Sequence, residues 1–173
     1  AGAPRTVTLK RGMDRGRPLM QDRKILVTGG AGFIGSHLVE HLSAHNEVTV
    51  FDDLSTGSLR NLQGAREEVR LHRASILQPK QLAKALEGHE LVYHLAAKTS
   101  VPESVERPDE YWRTNVEGTL NVLKTSADAG VRRVVFVSSA AVYGSSEVVP
   151  KVETMRPEPA SPYATTKMVG EFA

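Results

Sequence analysis

This sequence predicts an α/β fold: a doubly wound parallel sheet with helices on both faces. Three observations carry that expectation. From Lys24 onward, short apolar runs rich in β-branched residues alternate with helical patterns, which is how strand–helix–strand units read. A glycine-rich turn, TGGAGFIGSH, joins the first strand to the first helix. Ser138 and Ser139 end the fifth apolar run, and Tyr163 and Lys167 open the helical pattern after it. Sheets of this kind present functional groups at the carboxyl ends of their strands.

Taken in order, KILVT (24–28) reads as the first strand and FIGSHLVEHLSAH (33–45) as a helix, with Ile34, Leu38, Val39 and Leu42 on one face. EVTVF (47–51) is the second strand and, after a polar loop, EVRLH (68–72) the third. PKQLAKALEG (79–88) is a short helix that begins with proline and ends with glycine, the sense helices prefer. LVYHLA (91–96) is the fourth strand. PDEYWRTNVEGTLNVLKTSADAG (108–130) reads as one long helix, again started by proline and stopped by glycine. RRVVFVSS (132–139) is the fifth strand, and the expected spatial order is 3-2-1-4-5.

The 173 residues are one domain's worth of chain, enough for a real hydrophobic core. The 40% hydrophobic and 24% charged content is that of an ordinary globular protein. No apolar run approaches the roughly 20 residues a membrane span needs, so no membrane partner is expected. There is no cysteine, which removes disulfides and thiolate chemistry. The six histidines are scattered, and no metal is expected. The net charge of +2 hides an asymmetry: residues 1–23 hold six Arg or Lys against Asp14 and Asp22, so the remainder is slightly acidic. The basic excess therefore sits in a leader rather than on a folded face, which argues against nucleic-acid binding. That leader has Gly and Pro but no periodicity, and residues 1–23 are expected to be disordered. It is rich in Arg like a targeting peptide but lacks a signal peptide's apolar core. The expected natural start is Met20 or Met13, with the residues before it carrying no function.

In the glycine turn, Gly30, Gly32 and Gly35 satisfy G-x-G-x-x-G, and Gly29, Gly32 and Gly35 give G-x-x-G-x-x-G. The early glycines let the backbone turn tightly and bring amides close to a pyrophosphate; Gly35 lets the helix lie close to the strand. The helix N-terminus then offers orphan donors and a partial positive charge to the anion. Three glycines alone could simply make a turn, but these lie between a strand and a helix, and the second strand leads into Asp52. An acid there accepts hydrogen bonds from ribose hydroxyls and repels a 2′-phosphate, which favours NAD over NADP. The plainer reading of Asp52 and Asp53 is a solvated turn before LSTG. With the loop in place, the expectation is a Rossmann-type dinucleotide-binding domain over residues 24–173.

A lone Tyr-x-x-x-Lys is weak, since chance supplies one in roughly a quarter of chains of such composition; here the context adds weight. A phenol normally holds its proton to about pH 10. An ammonium one helical turn away and a nicotinamide cation both favour the phenolate, which is what a tyrosine base needs. Ser139 could orient a substrate hydroxyl. The plainer alternative is a surface Tyr and Lys with two strand-end serines.

With these segments in view, the chain resembles the extended short-chain dehydrogenases/reductases, in the branch of NAD-dependent nucleotide-sugar epimerases and dehydratases. VTGGAGFIGSHLVEHL, FDDLSTG, HLAAKTSVPES, NVEGTLNVL, SSAAVYG and SPYATTK carry the resemblance, in order, across residues 24–173. Within that branch it is similar above all to the UDP-glucose 4-epimerases. The resemblance implies that Gly29, Gly32, Phe33, Ile34 and Gly35 form the dinucleotide loop and that Asp52 holds the adenosine ribose. It implies that Ala96 and Ala97 line the cofactor and that Asn115 supports the site from the long helix. Ser139, four before Tyr143, becomes the hydroxyl partner in preference to Ser138; Tyr163 becomes the base, and Lys167 binds the nicotinamide ribose. Relatives that eliminate water or decarboxylate carry an acid just after the Ser or Thr, whereas this chain has Ala140 and Ala141. Methyl groups transfer no protons, so simple removal and return of hydride is favoured.

Two departures stand out. Relatives often have an Asp after strand three that contacts adenine, where this chain has Ser75, so weaker adenine binding is expected. Relatives also run well past residue 173, so the dinucleotide-binding domain is expected to be incomplete and the C-terminal substrate domain absent. The expected function is an NAD-dependent nucleotide-sugar 4-epimerase on a UDP-hexose, cytoplasmic and homodimeric when whole. In this family the long helix and the Tyr/Lys helix pair across the dimer interface. The alternatives are a module that binds NAD without turnover and another non-eliminating nucleotide-sugar oxidoreductase.

Overall fold

The computed structural model describes residues 20–65 and 69–173. Five parallel strands form one sheet in the order β3-β2-β1-β4-β5. They are β1 (Lys24–Thr28), β2 (Glu47–Asp52), β3 (Arg70–Arg73), β4 (Leu91–His94) and β5 (Arg133–Phe136). The register runs Ile25 beside Val48 on one side and Leu91 on the other, so β1 is central and its carboxyl end meets those of β2 and β4. This is the predicted order. A strand buried on both faces needs apolar residues at every position, and Ile25, Leu26 and Val27 are all fully buried.

Alternation along the strands splits the core into two layers. Leu26, Phe51 and Val92 face Leu82, Ala85 and Leu86 of α2 (Pro79–Leu86) and Val122 of α5 (Gly118–Asp128). Ile25, Val27, Val48 and Val50 face Val39 and Leu42 of α1 (Phe33–Ser43). Helices thus cover both faces, as the sequence predicts. Ile34 departs from its expected core face and is 65% exposed. It lies in the first turn of α1, beside the glycine loop, before the helix reaches the sheet.

Four further departures matter. The long helix is not continuous: α4 (Pro108–Trp112) passes through a π-turn, Arg113–Glu117, into α5. The wider turn buries Asn115 and Val116, and such turns recur at functional sites. A short helix, α3 (Val101–Glu106), follows β4 where no element is expected. Ser100 caps it by accepting from the Glu103 amide at 3.3 Å, with Pro102 in its first turn; the S-x-x-E spacing of a capping box was there to read. The third strand starts at Arg70; its expected first residue, 68, lies outside the described residues. The fold also begins before Lys24: Met20 packs on the α1 layer, and the Asp22 amide donates to His45 O at 2.9 Å. The rest of the expected leader, 1–19, lies outside the described residues.

Candidate active site at the carboxyl edge of the sheet

The chain leaves β1 at Thr28 and turns at Gly29, whose φ is +69°. A Cβ there would lie 2.6 Å from Ala96 N, so both the left-handed backbone and the close approach of the segment after β4 require glycine. Gly35 answers to a different constraint: a Cβ on it would run into Gly29 O, so the start of α1 rests directly on the turn. Gly32 occupies the N-cap position without a side-chain cap. Among the described residues, the amides of Phe33, Ile34 and Gly35 meet no acceptor. Those donors, together with the positive end of the helix, make a cradle for an anion. Phe33, 79% exposed, and Ile34 border its open side.

Asp52, at the end of β2, is buried and shapes this cradle. Its two carboxylate oxygens accept from the Ala31 amide at 2.9 Å and the Leu54 amide at 2.8 Å. Leu54 has φ +60°, a conformation that costs a non-glycine residue about 1 kcal/mol. The loop after Asp52 folds back onto the turn, with Ser58 N and Asn61 Nδ2 both donating to Ala31 O. Each carboxylate oxygen keeps a lone pair, so Asp52 can still accept from the hydroxyls of a ribose.

Past β4, Ala96 and Ala97 are half-buried, with Ala96 against the glycine turn. The Asn115 side chain, set inward by the π-turn, clamps the next residue. Its Oδ1 accepts from Lys98 N at 2.8 Å, and its Nδ2 donates to Lys98 O at 3.0 Å and to Thr166 Oγ1 at 3.0 Å. Thr166 lies on α6 (Pro162–Phe172), so Asn115 ties the strand-four segment to the helix that carries Tyr163 and Lys167.

Helix α6 starts as the sequence predicts: Ser161 accepts from the Ala164 amide at 3.1 Å, and Pro162 occupies the first turn. Tyr163 is buried, 8% exposed, with its ring edge-on to Tyr111 of α4 at 6.5 Å. Tyr111 donates its phenol hydrogen to Glu103 at 2.9 Å, and Glu103 in turn pairs with Lys98. Lys167 is 4% exposed, and burial pulls its pKa down to about 8. Its ammonium donates to Val137 O at 2.8 Å and stands 4.8 Å from the centre of the Phe136 ring. One of its three hydrogens is thereby spent. Val137 lies two residues before Ser139, which accepts from Ala141 N at 3.2 Å and begins the short turn Ala140–Tyr143. Ser138 is engaged elsewhere, by Glu171 of α6.

The structure therefore gathers the predicted residues along one edge: the glycine loop with Asp52, then Ala96 and Ala97 with Asn115, then Ser139 with Tyr163 and Lys167. Ser75 accepts from Leu77 N at 3.3 Å, after β3. Sequence reasoning passed over Lys98, Glu103, Tyr111, Phe136, Thr28, His94 and Thr119. A polar residue in an apolar strand, as in LVYHLA, was the one local signal. His37 and His41 stand exposed four apart on α1, but among the described residues no three or more metal-type side chains converge.

A model of the NAD dependent epimerase/dehydratase family matches residues 25–172. The UDP-glucose 4-epimerase of Streptomyces lividans is 42% identical over 149 residues, which cover 84% of this chain and 44% of that relative. Among solved structures, the UDP-N-acetylglucosamine 4-epimerase from Methanobrevibacter ruminantium M1, in complex with UDP-N-acetylmuramic acid, superposes with a TM-score of 0.83 at 38% identity. The match covers 88% of this chain and 49% of that one. The UDP-glucose 4-epimerase from Brucella ovis, in complex with NAD, gives 0.81 at 35% identity, over 87% and 46%. The chain spans about half the length of the relatives it matches.

Proposed function

The chain belongs to the NAD dependent epimerase/dehydratase family, and from that premise we propose that it is the cofactor-binding half of a nucleotide-sugar 4-epimerase acting on a UDP-hexose. One observation carries the reading. The anion cradle and the helix carrying Tyr163 and Lys167 both lie at the carboxyl edge of one sheet, with Asn115 bonded to Lys98 after β4 and to Thr166 of that helix. Proximity of this kind is what a coupled proton and hydride transfer needs.

The residues fit NAD. Free amides at the start of α1 would hold the diphosphate, and Asp52 would accept from the adenosine ribose. Phe33 and Ile34 border the loop, Ala96 and Ala97 would line the middle, and Lys167, with one hydrogen on Val137 O, would offer its others to the nicotinamide ribose. When bound, NAD supplies the acceptor and then the donor of a hydride at sugar C4. Tyr163, as phenolate, takes the proton of the 4-hydroxyl and later returns it, while Ser139 holds that hydroxyl in line. Lys167 lies one helical turn from Tyr163 on the same helix. Inversion at C4 would require a 4-keto sugar to present its other face before the hydride is returned. Ala140 and Ala141 beside Ser139 carry no proton, so elimination across C5–C6 is excluded from this reading.

The whole protein is read as a cytoplasmic homodimer; Trp112, Leu120 and Phe172 expose apolar surface on α4, α5 and α6. Among the described residues no helix is long and apolar enough to cross a membrane. A second reading, a module that binds NAD without turnover, is favoured by the half-length match. Titration calorimetry with NAD and an assay interconverting UDP-glucose and UDP-galactose separate the two. Turnover by this chain, or by this chain joined to the second half of a relative, supports the epimerase; NAD binding with no turnover in either supports the module, and no binding sinks both. In a chimaera joining residues 20–173 to the second half of a relative, Tyr163→Phe should abolish epimerisation and leave NAD bound. Undiminished activity would remove Tyr163 from the chemistry.

A further inference from the structure

His94 ends β4, is 1% exposed, and packs its ring 5.7 Å from that of Phe136. Both ring nitrogens are nonetheless bonded: Nδ1 to Thr28 Oγ1 at 2.7 Å and Nε2 to Thr119 Oγ1 at 2.9 Å. The neighbours fix which nitrogen carries the hydrogen. Thr119 has one hydroxyl hydrogen and donates it to Asn115 O at 2.5 Å, so it can only accept from the ring. Nε2 is therefore the N–H. A neutral imidazole has no second hydrogen, so Nδ1 accepts from the Thr28 hydroxyl. Thr28 in turn accepts from Ala96 N at 3.2 Å.

The directions add up to one buried chain. It runs from the Ala96 amide through Thr28, His94 and Thr119 to the Asn115 carbonyl. From the same residue, the Asn115 side-chain Nδ2 starts a second run to Thr166, whose hydroxyl donates to Tyr163 O at 2.7 Å. Every member uses each hydrogen once, and reversing the Thr119–His94 link would leave the buried Asn115 carbonyl facing a hydroxyl oxygen with no hydrogen to give. Burial, helped by the Lys167 charge, pushes the His94 pKa down to about 3, so the ring stays neutral.

We propose that His94 is a positioning residue: as a fixed Nε2–H tautomer it holds the root of the glycine loop, the backbone after β4 and the Tyr163 helix in one register for the dinucleotide. The proposal rests on the NAD reading above. It assigns a role to Thr28, His94 and Thr119, none of which needs to touch the cofactor.

Two measurements on the 173-residue chain test it. In 15N-edited NMR, His94 should appear as the neutral Nε2–H form, unchanged from about pH 5 to pH 8. Calorimetry with NAD should then compare Thr119→Val, which keeps the shape and removes the hydroxyl, with Thr119→Ser, which restores it. At temperatures where circular dichroism matches the unaltered chain, the valine variant should bind about tenfold more weakly and the serine variant within about twofold. Equal affinities for the two variants, a ring carrying its hydrogen on Nδ1, or a charged ring would overturn the relay. Failure of the unaltered chain to take up NAD would overturn the cofactor reading and the relay's purpose together. That result is told apart because it appears before any substitution is made.

Discussion

The two ends of the sheet handle polar groups in opposite ways. At the amino edge, charges alternate across the strands in spatial order: Arg70, Glu47, Lys24 with Arg23, Glu90, Arg132. Their side chains are 32–73% exposed and pair at 2.8 to 3.9 Å. At the carboxyl edge, Thr28, Asp52, His94, Asn115, Thr119, Thr166 and Lys167 are buried, and their bonds go to backbone or to one another. Exposed ion pairs contribute little because water competes for both partners. Buried polar groups are costly when unpaired and rigid when fully paired. One edge is thus soluble packing surface, and the other is a fixed site maintained against its own desolvation.

Acid is the strongest way to break that contrast. A histidine whose folded pKa is depressed stabilises the fold above its unfolded value of 6.5, and this is lost as pH falls towards about 3. In that window the unfolded chain binds the proton and the folded one does not. The expected loss is about 5 kcal/mol, enough to unfold many domains. Urea titrations across that range should show the steep slope in the unaltered chain and in Glu90→Gln, and a shallow one in His94→Gln. A slope that survives in His94→Gln would place the acid lability elsewhere.

Next in size is Lys167. Its depressed pKa means that the folded chain gives up the proton near 8 while the unfolded chain keeps it to 10.5. Stability should therefore rise with pH across that window, by up to about 3 kcal/mol. Lys167→Met should flatten this rise and, by the proposed role, weaken NAD binding. Coincident pH profiles for the two proteins would show that the ammonium is better solvated than its 4% exposure indicates.

The contrast between the edges also explains what could be read from the sequence. Strand order, both helix layers and the glycine loop were legible because they follow from periodicity and from glycines with no side chain to place. Tyr163 and Lys167 were legible through a capped helix start at Ser161-Pro162. The support behind them was not. Thr28, His94 and Thr119 come from three segments far apart in sequence, and a lone histidine or threonine in an apolar run carries no sign of its partner. The π-turn was hidden for a related reason: RTNVE has an ordinary helical pattern, and only the inward bonds of Asn115 reward the wider turn.

The amino edge supplies the smallest and most discriminating prediction. Glu90 accepts from Arg23 at 2.8 Å and lies 3.9 Å from Arg132, so it holds two of the alternating pairs. Glu90→Gln keeps the shape and removes the charge. Its expected cost is below about 1 kcal/mol and should fade in high salt, because the partners are open to screening. NAD affinity should not change, since no hydrogen bond connects this edge to the relay among the described residues. A larger, salt-independent loss would mean that the alternating charges act as a cooperative lattice. A change in NAD affinity would mean that the two edges are coupled through the strands themselves.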